Sequence, residues 1–261
     1  MLKIMDKVMV RNKYILSLLL IFPLFLQANE KVESLFVKGN DLYAKGKYKE
    51  AAASYEQVLA AGYFSADVYF NLGNAYYKQD EIPLAVLNYE KAGKLSPGDE
   101  DIQVNIQLAN LKIADKIDAV PEFFLTKWWR SFILFCSAEV LSVLSVMGFL
   151  LGFILLIVYL FAVSIAIKRP AFYSGIGLLV LALLITGMAG LQTSYLKGSN
   201  EAVIFSGTVN VKSGPKESFK TLFVIHEGLK VSVKEQNDGW IKVGLPNGNV
   251  GWIAAASVKK I

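Results

Sequence analysis

The residues that most often carry chemistry are few in this sequence. The chain has one cysteine, Cys136, and one histidine, His226. No Ser/His/Asp or Cys/His arrangement, zinc-ligand spacing or Gly-rich phosphate loop accompanies them. Cys136 lies in an apolar stretch, which is typical of a small buried hydrophobe rather than a redox centre, and His226 fits a structural or surface role. The sequence therefore favours a binding or structural protein with no catalytic, cofactor or metal site.

The charge distribution argues against nucleic-acid binding. The formal net charge is +5, yet residues 29–122 carry −5 and residues 198–261 carry +3. The remaining basic excess lies in the N-terminal region and beside long apolar runs. Such a distribution is typical of targeting and membrane flanks and not of a basic face that follows a phosphate backbone.

Residues 1–28 have the pattern of a signal peptide. A basic region with Lys3, Lys7 and Arg11 precedes the apolar run Tyr14–Leu26, and Ala28 is a small residue at the expected cleavage point. Cleavage and retention as a signal anchor are both compatible with this pattern. Either outcome exports the segment that follows.

A 34-residue repeat organises the first arm, residues 29–117. Four pairs of identical residues lie 34 positions apart: Gly39/Gly73, Asn40/Asn74, Ala51/Ala85 and Tyr55/Tyr89. This period and these residue types resemble the tetratricopeptide repeat, a helix-turn-helix unit. The second unit has the signature residues Tyr69, Leu72, Gly73, Tyr76, Ala85, Tyr89, Ala92 and Pro97. We therefore expect repeats at 32–65 and 66–99 and a capping helix at 100–115 that covers the exposed apolar end.

The resemblance implies a groove that binds a partner peptide and is lined by the first helix of each repeat. The residues expected to face it combine amides, aromatic rings and one cation: Asn40, Tyr43, Phe70, Asn71, Asn74, Tyr77 and Lys78. Asparagine can pair with a peptide backbone and aromatic rings can stack on side chains. The alternative is that these residues form an ordinary solvated helix face.

Two charge-free runs follow, and each is long enough to cross a bilayer. They predict transmembrane helices at 140–167 and 170–196, with a turn at Lys168, Arg169 and Pro170. Gly148/Gly152 and Gly187/Gly190 suggest a helix-packing surface. Before the first run, residues 118–139 contain Trp128-Trp129 and predict an interfacial segment, with Ser137 as a helix N-cap. The hairpin predicts a two-pass inner-membrane protein with both arms on the periplasmic side.

Residues 202–261 have the period-two pattern of short strands. Five runs separated by turn residues predict a small antiparallel barrel: 209–211, 222–225, 231–233, 240–243 and 250–253. The ordered segments VNVKSGP, HEGLKVSV, GWIKV and NGNVGWI resemble a bacterial SH3-like domain. That resemblance implies binding to a protein or to cell-wall peptidoglycan. The fold class is thus a multi-domain membrane protein with all-α repeats, two transmembrane helices and an all-β SH3-like barrel.

The order of these parts resembles the E-type members of the Bat family, the Bacteroides aerotolerance proteins. The resemblance implies a non-enzymatic scaffold whose partners are membrane proteins with von Willebrand factor A domains and, indirectly, a MoxR-type ATPase. It also implies a role in oxygen or envelope stress tolerance. A peptidoglycan-binding envelope sensor is the alternative, although the three-residue loop predicted between the spans is too short for a cytoplasmic signalling module.

Overall fold

The computed structural model describes residues 30–118, 120–121, 123–198 and 200–261, apart from the side chain of Lys197. The predicted signal peptide, residues 1–28, lies outside the described residues. The chain divides into two compact units, with the boundary between Asp80 and Glu81.

The first unit consists of helices that agree with the repeat pattern. They comprise residues 30–44 (α1), Tyr48–Ala60 (α2) and Ala66–Lys78 (α3). The Ser65 hydroxyl accepts a hydrogen bond from the backbone N–H of Val68 at 3.3 Å and so caps α3. The core is made of small and medium apolar residues around one buried tyrosine: Ala51, Ala52, Tyr55, Val58, Val68, Leu72 and Ala75.

Gly39 allows α1 and α2 to approach closely. A Cβ atom at this position would lie 2.5 Å from Cε1 of Tyr55, which is shorter than any real contact. The Tyr55 ring therefore occupies the space that a side chain at position 39 would need. This is the physical reason for a glycine and an aromatic residue at these places in the repeat.

The second unit begins with two helices, Ile82–Leu95 (α4) and Glu100–Lys112 (α5). Asp99 caps α5 by accepting from the backbone N–H of Ile102 at 3.2 Å. The predicted capping helix is present but ends before residue 115. Ile113 is extended instead and is 6% exposed, because it packs over Gly228 of the C-terminal domain.

Three further helices include the two candidate membrane spans. They are Phe124–Ile133 (α6), Ala138–Phe161 (α7) and Ile165–Gly198 (α8). The spans, Ala138–Phe161 and Ile165–Leu196, have mean hydropathies of 2.8 and 2.1. Ser137 caps α7 as predicted, since its hydroxyl accepts from the backbone N–H of Val140 at 3.3 Å. The two apolar helices indicate membrane association.

The turn between the spans differs from the prediction. Non-helical backbone occupies residues 162–164, and Lys168, Arg169 and Pro170 all lie inside α8. The Ser164 carbonyl starts this helix by accepting from the N–H groups of Ile167 and Lys168 at 3.1 and 3.0 Å. Pro170 is the sixth residue of α8, where a proline removes one backbone hydrogen bond and favours a kink, yet the helix continues past it. The two basic residues nevertheless stay near the turn.

Small residues bring α7 and α8 together. A Cβ atom on Gly152 would lie 2.7 Å from Cδ2 of Leu179, and one on Gly148 would lie 3.1 Å from Cβ of Ala182. These two glycines therefore form the predicted packing surface. Gly187 and Gly190 do not belong to it, because no described atom lies within 4 Å of a Cβ atom built on either.

Polar side chains inside the hairpin add hydrogen bonds that the sequence pattern did not indicate. The hydroxyl oxygens of Ser145 and Thr186 lie 2.6 Å apart, and both groups reach the carbonyl oxygen of Ala182. Gln192 is fully buried and donates to the Cys136 carbonyl at 2.7 Å. Such bonds help to fix the rotation and register of paired membrane helices.

Residues 200–261 form an antiparallel sheet with strand order β3-β2-β6-β5-β4-β1-β7. The strands are Glu201–Ile204 (β1), Thr208–Lys212 (β2), Thr221–His226 (β3), Lys230–Asn237 (β4), Trp240–Gly244 (β5), Val250–Ala254 (β6) and Val258–Lys260 (β7). All five predicted strands are confirmed, while β1 and β7 were not predicted. One core is buried inside the sheet, with Ile204, Ile225, Ile241 and Ile253 among its largest members.

We predict that Gly152→Val disrupts the hairpin. The added side chain would displace Leu179 and approach the Gly175 carbonyl, which should destabilise helix pairing by about 1–3 kcal/mol. The measurement is the rate of oxidative cross-linking between cysteines placed at Ser145 and Thr186, with Cys136 replaced by serine. Gly177→Val is the matched control, since no described atom lies within 4 Å of its Cβ position. Equal cross-linking rates in the two variants would contradict the helix packing.

Candidate functional site

The predicted groove residues lie on α1 and α3. Asn40 and Tyr43 belong to α1, and the other five belong to α3. Those five have the spacing of a single helical face: Phe70, Asn71, Asn74, Tyr77 and Lys78. Lys78 is exposed and the other four are half-buried. Aromatic rings and amides that are partly accessible suit the capture of an extended peptide.

Asn40 and Asn71 meet between the two first helices of the repeats. The Asn71 side-chain amide donates to Oδ1 of Asn40 at 3.2 Å. The Tyr55 hydroxyl donates to the same oxygen at 2.7 Å from the core below. The side-chain carbonyl of Asn40 already accepts two hydrogen bonds. The groups that it can still offer to a ligand are therefore its side-chain N–H donors.

Tyr55 is a permanent donor in this arrangement. Its side chain is almost completely buried, and burial together with the neighbouring Tyr43 raises the pKa of Tyr55 to about 12. The hydroxyl therefore keeps its proton at any physiological pH. Asn40 is held in one orientation as a result, which would lower the entropy cost of binding at this position.

Tyr43 supports the same surface from α1. Its ring contacts Tyr48 edge to face, with the ring centroids 5.2 Å apart. Burial, with a smaller contribution from Tyr48, raises the pKa of Tyr43 above its ordinary value. The structure thus brings Tyr43 against the start of α2 and joins Asn40 to Asn71.

A second cluster joins α4 to the C-terminal sheet. Nζ of Lys230 lies 3.0 Å from Oε2 of Glu90 and 3.6 Å from Oε1 of Glu201. Burial alone would lower the pKa of Lys230, but the two carboxylates outweigh it and raise the pKa. The Glu90 side chain is only 10% exposed, so this ion pair is largely shielded from water.

The segment after α5 makes further contacts with the sheet domain. Asp115 accepts from the backbone N–H of His226 at 2.6 Å, and its second oxygen lies 2.9 Å from Nδ1 of the same residue. Ile117 packs against the domain core, and the N–H of Val120 donates to the Pro246 carbonyl at 3.0 Å. His226 therefore takes part in attaching the segment after α5 to the sheet.

An apolar outer edge of the sheet domain was not recognised in the sequence. Strand β3 has only β2 as a neighbour in the sheet formed by residues 200–261. Leu222 and Val224 on this strand are 48% and 44% exposed. The available signal was the apolar run of β3, which continues on both strand faces instead of alternating.

No group of three or more His, Cys, Asp or Glu side chains close enough to hold a metal ion occurs in the described part of the chain. The clusters found are ion pairs and hydrogen-bonded amides. Their chemistry suits the binding of proteins or other polar ligands.

Comparisons with known proteins assign the two arms to families of binding modules. Residues 36–100 match the family described as tetratricopeptide repeat. Residues 207–259 match the family described as bacterial SH3 domain. No curated protein matches the chain. The chain therefore combines a tetratricopeptide-type helical region and a bacterial SH3-type sheet, separated in sequence by two candidate membrane helices.

Proposed function

We propose that this chain is a non-enzymatic scaffold of the bacterial inner membrane that presents two binding modules on the periplasmic side. Modules of both matched families are typically non-catalytic and bind proteins. The observation that carries the proposal is the direct contact between α4 and the sheet domain. The two candidate membrane helices lie between these parts in the sequence.

The contact between Glu90 and Lys230 supports a two-pass arrangement. The two residues are 140 positions apart, and both candidate spans lie between them. A direct contact of 3.0 Å supports an arrangement in which both segments lie on one side of the bilayer. Two crossings satisfy this condition and one crossing does not. The signal-like residues 1–28 support the periplasm as that side.

The repeat arm is the proposed site of partner recognition. An extended segment of the partner would lie against α3 and contact Tyr77, Asn74 and Lys78. Asn40, fixed by Tyr55 and Asn71, would donate to the partner's backbone.

The order of modules supports a place in a Bat-type assembly. In this proposal the partners are membrane proteins with von Willebrand factor A domains, and a MoxR-type ATPase acts on the assembly indirectly. The process served is tolerance of oxygen or envelope stress. The chain contributes binding and placement, while any chemistry belongs to its partners.

The proposed topology predicts a labelling pattern. Cysteines at Glu33, Val163 and Ser218, introduced singly with Cys136 replaced by serine, occupy exposed positions in the first arm, the hairpin turn and the second arm. In intact spheroplasts, a membrane-impermeant maleimide should label positions 33 and 218, whereas position 163 should react only after lysis. Labelling of position 163 alone before lysis would indicate the opposite orientation in the membrane. Labelling of only one arm would contradict the two-pass arrangement.

The proposed groove predicts a loss of partner affinity on substitution. The purified full chain would be titrated in detergent with a Bat-type protein that has a von Willebrand factor A domain. Tyr77→Ala and Lys78→Glu should each weaken binding by about tenfold, as expected for residues central to an interface. Lys49→Glu, an equal charge change on the exposed side of α2, should leave the affinity within about twofold. Equal losses in Lys49→Glu and Lys78→Glu would point to general electrostatics instead of a groove.

The bacterial SH3 match favours one alternative, an envelope sensor that binds peptidoglycan. It predicts that the full chain in detergent is retained on purified sacculi and that a chain lacking residues 200–261 is not. If the full chain passes through unretained, this alternative loses its basis. Equal retention of both chains would assign wall binding to another segment.

A further inference from the structure

Helix α6 has an exposed apolar face made mostly of aromatic rings. Its large apolar side chains recur with helical spacing, and each is between 49% and 67% exposed: Phe124, Leu125, Trp128, Trp129 and Phe132. The ring of Phe132 stacks on the rings of both tryptophans, with 6.1 Å between centroids in each pair. The face is therefore one continuous patch. A contiguous apolar patch of this kind marks an interaction surface.

The other side of α6 packs on the second unit. Ile133 is only 4% exposed, and Arg130 and Leu134 line a cavity that is also lined by residues of α4, α5 and α8. The turn between α4 and α5 approaches the end of α6, since a Cβ atom on Gly98 would lie 3.1 Å from the carbonyl oxygen of Phe135. One face of the helix thus contacts protein, and the rings lie on the opposite face.

The position of α6 along the chain keeps its rings close to the membrane. Only residues 134–137 separate it from the first candidate span. Four residues extend over about 14 Å at most, so the end of α6 must lie near the point where this span leaves the bilayer. The Gln192 side chain, close to the end of the second span, donates to the Cys136 carbonyl at 2.7 Å and holds this connection against α8.

The composition of the face suits the boundary between lipid tails and water. Tryptophan concentrates at this boundary, because its ring is apolar while its indole N–H stays hydrated. Lys127 beside the face is exposed, and its long side chain can lie along the lipid with the ammonium group in water. Amphipathic helices with this distribution lie in the plane of the membrane surface. The short connection to a span favours lipid over a protein partner or a second copy as the occupant of the face.

We propose that α6 lies in the plane of the membrane surface, with its aromatic face buried in the leaflet on the side of the two arms. Its opposite face supports the turn between α4 and α5, so the helix lies between the lipid and the rest of the second unit. Residues 118–139 were expected to be interfacial from their tryptophans alone. The two faces of α6 now distinguish the side chains that contact lipid from those that contact protein. This inference rests on insertion of the hairpin and does not depend on the partner-binding role.

The test uses the full chain reconstituted in vesicles of phosphatidylethanolamine and phosphatidylglycerol. Flotation after an alkaline wash establishes insertion of the hairpin separately from the fluorescence measurement. The vesicles carry bromine on the acyl chains either near the headgroup or near the methyl end, and bromine quenches only those tryptophans that it contacts. Bromine near the headgroup should quench about half of the fluorescence, because two of the four tryptophans of the chain lie on this face.

A variant with Trp128→Phe and Trp129→Phe keeps the face apolar and should lose the quenching by bromine. Trp240→Phe is the matched control, because it removes a tryptophan of the sheet domain and should leave the quenched amplitude unchanged. Thermal unfolding of all variants is compared first. If the double variant unfolds at a lower temperature, the two single variants decide the question, and each should lose about half of the quenched amplitude.

Three outcomes would overturn the proposal. The first is equal quenching in the original chain and in the double variant. The second is a floated chain that bromine does not quench: quenching by iodide would then indicate a face in water, and no quenching by iodide would indicate a face covered by protein. The third is stronger quenching by bromine near the methyl ends, which would indicate that α6 enters the bilayer core.

Discussion

The arrangement of the second unit depends on a lysine held between two carboxylates. Lys230 on β4 contacts Glu90 on α4 and Glu201 on β1, so one cation joins a helix before the membrane hairpin to two strands after it. Glu90 is mostly buried, and a buried carboxylate without its cation would be strongly destabilising. The ion pair therefore acts less as a source of stability than as a restriction on where the sheet domain can lie.

The contacts of the segment that follows α5 also restrict where the sheet domain can lie. Asp115 binds both the backbone and the ring of His226, and Ile113 covers Gly228, where no side chain could fit without moving it. Ile113 and Asp115 precede the first candidate span in the chain, whereas His226, Gly228 and β4 follow the second. The chain thus leaves the sheet domain, passes through the hairpin and returns to it. The sheet domain is thus in contact with chain segments before and after the hairpin. Its position, and therefore its accessible surface, is determined by the fold.

The sequence predicted those parts that depend on local pattern. The 34-residue period located the repeats because Gly39 and Tyr55 occupy one shared space, and the apolar runs located the spans by length alone. The errors arose where distant residues decide the outcome. Strand β7 is short and contains Lys259 and Lys260, so only its pairing with β1 makes it a strand. The proline at position 170 suggested a helix boundary, but the Ser164 carbonyl had already started the helix one and a half turns earlier.

The candidate groove shows the same division between local and distant information. Helical spacing was enough to place Phe70, Asn74 and Lys78 on one face of α3. It could not reveal that the Asn40 carbonyl is used by Tyr55 and Asn71, which are 15 and 31 positions away. The attachment of the sheet domain to α4 was still harder to predict, because Glu90 and Lys230 are 140 positions apart in the sequence. Neither residue by itself indicates that the other is its partner.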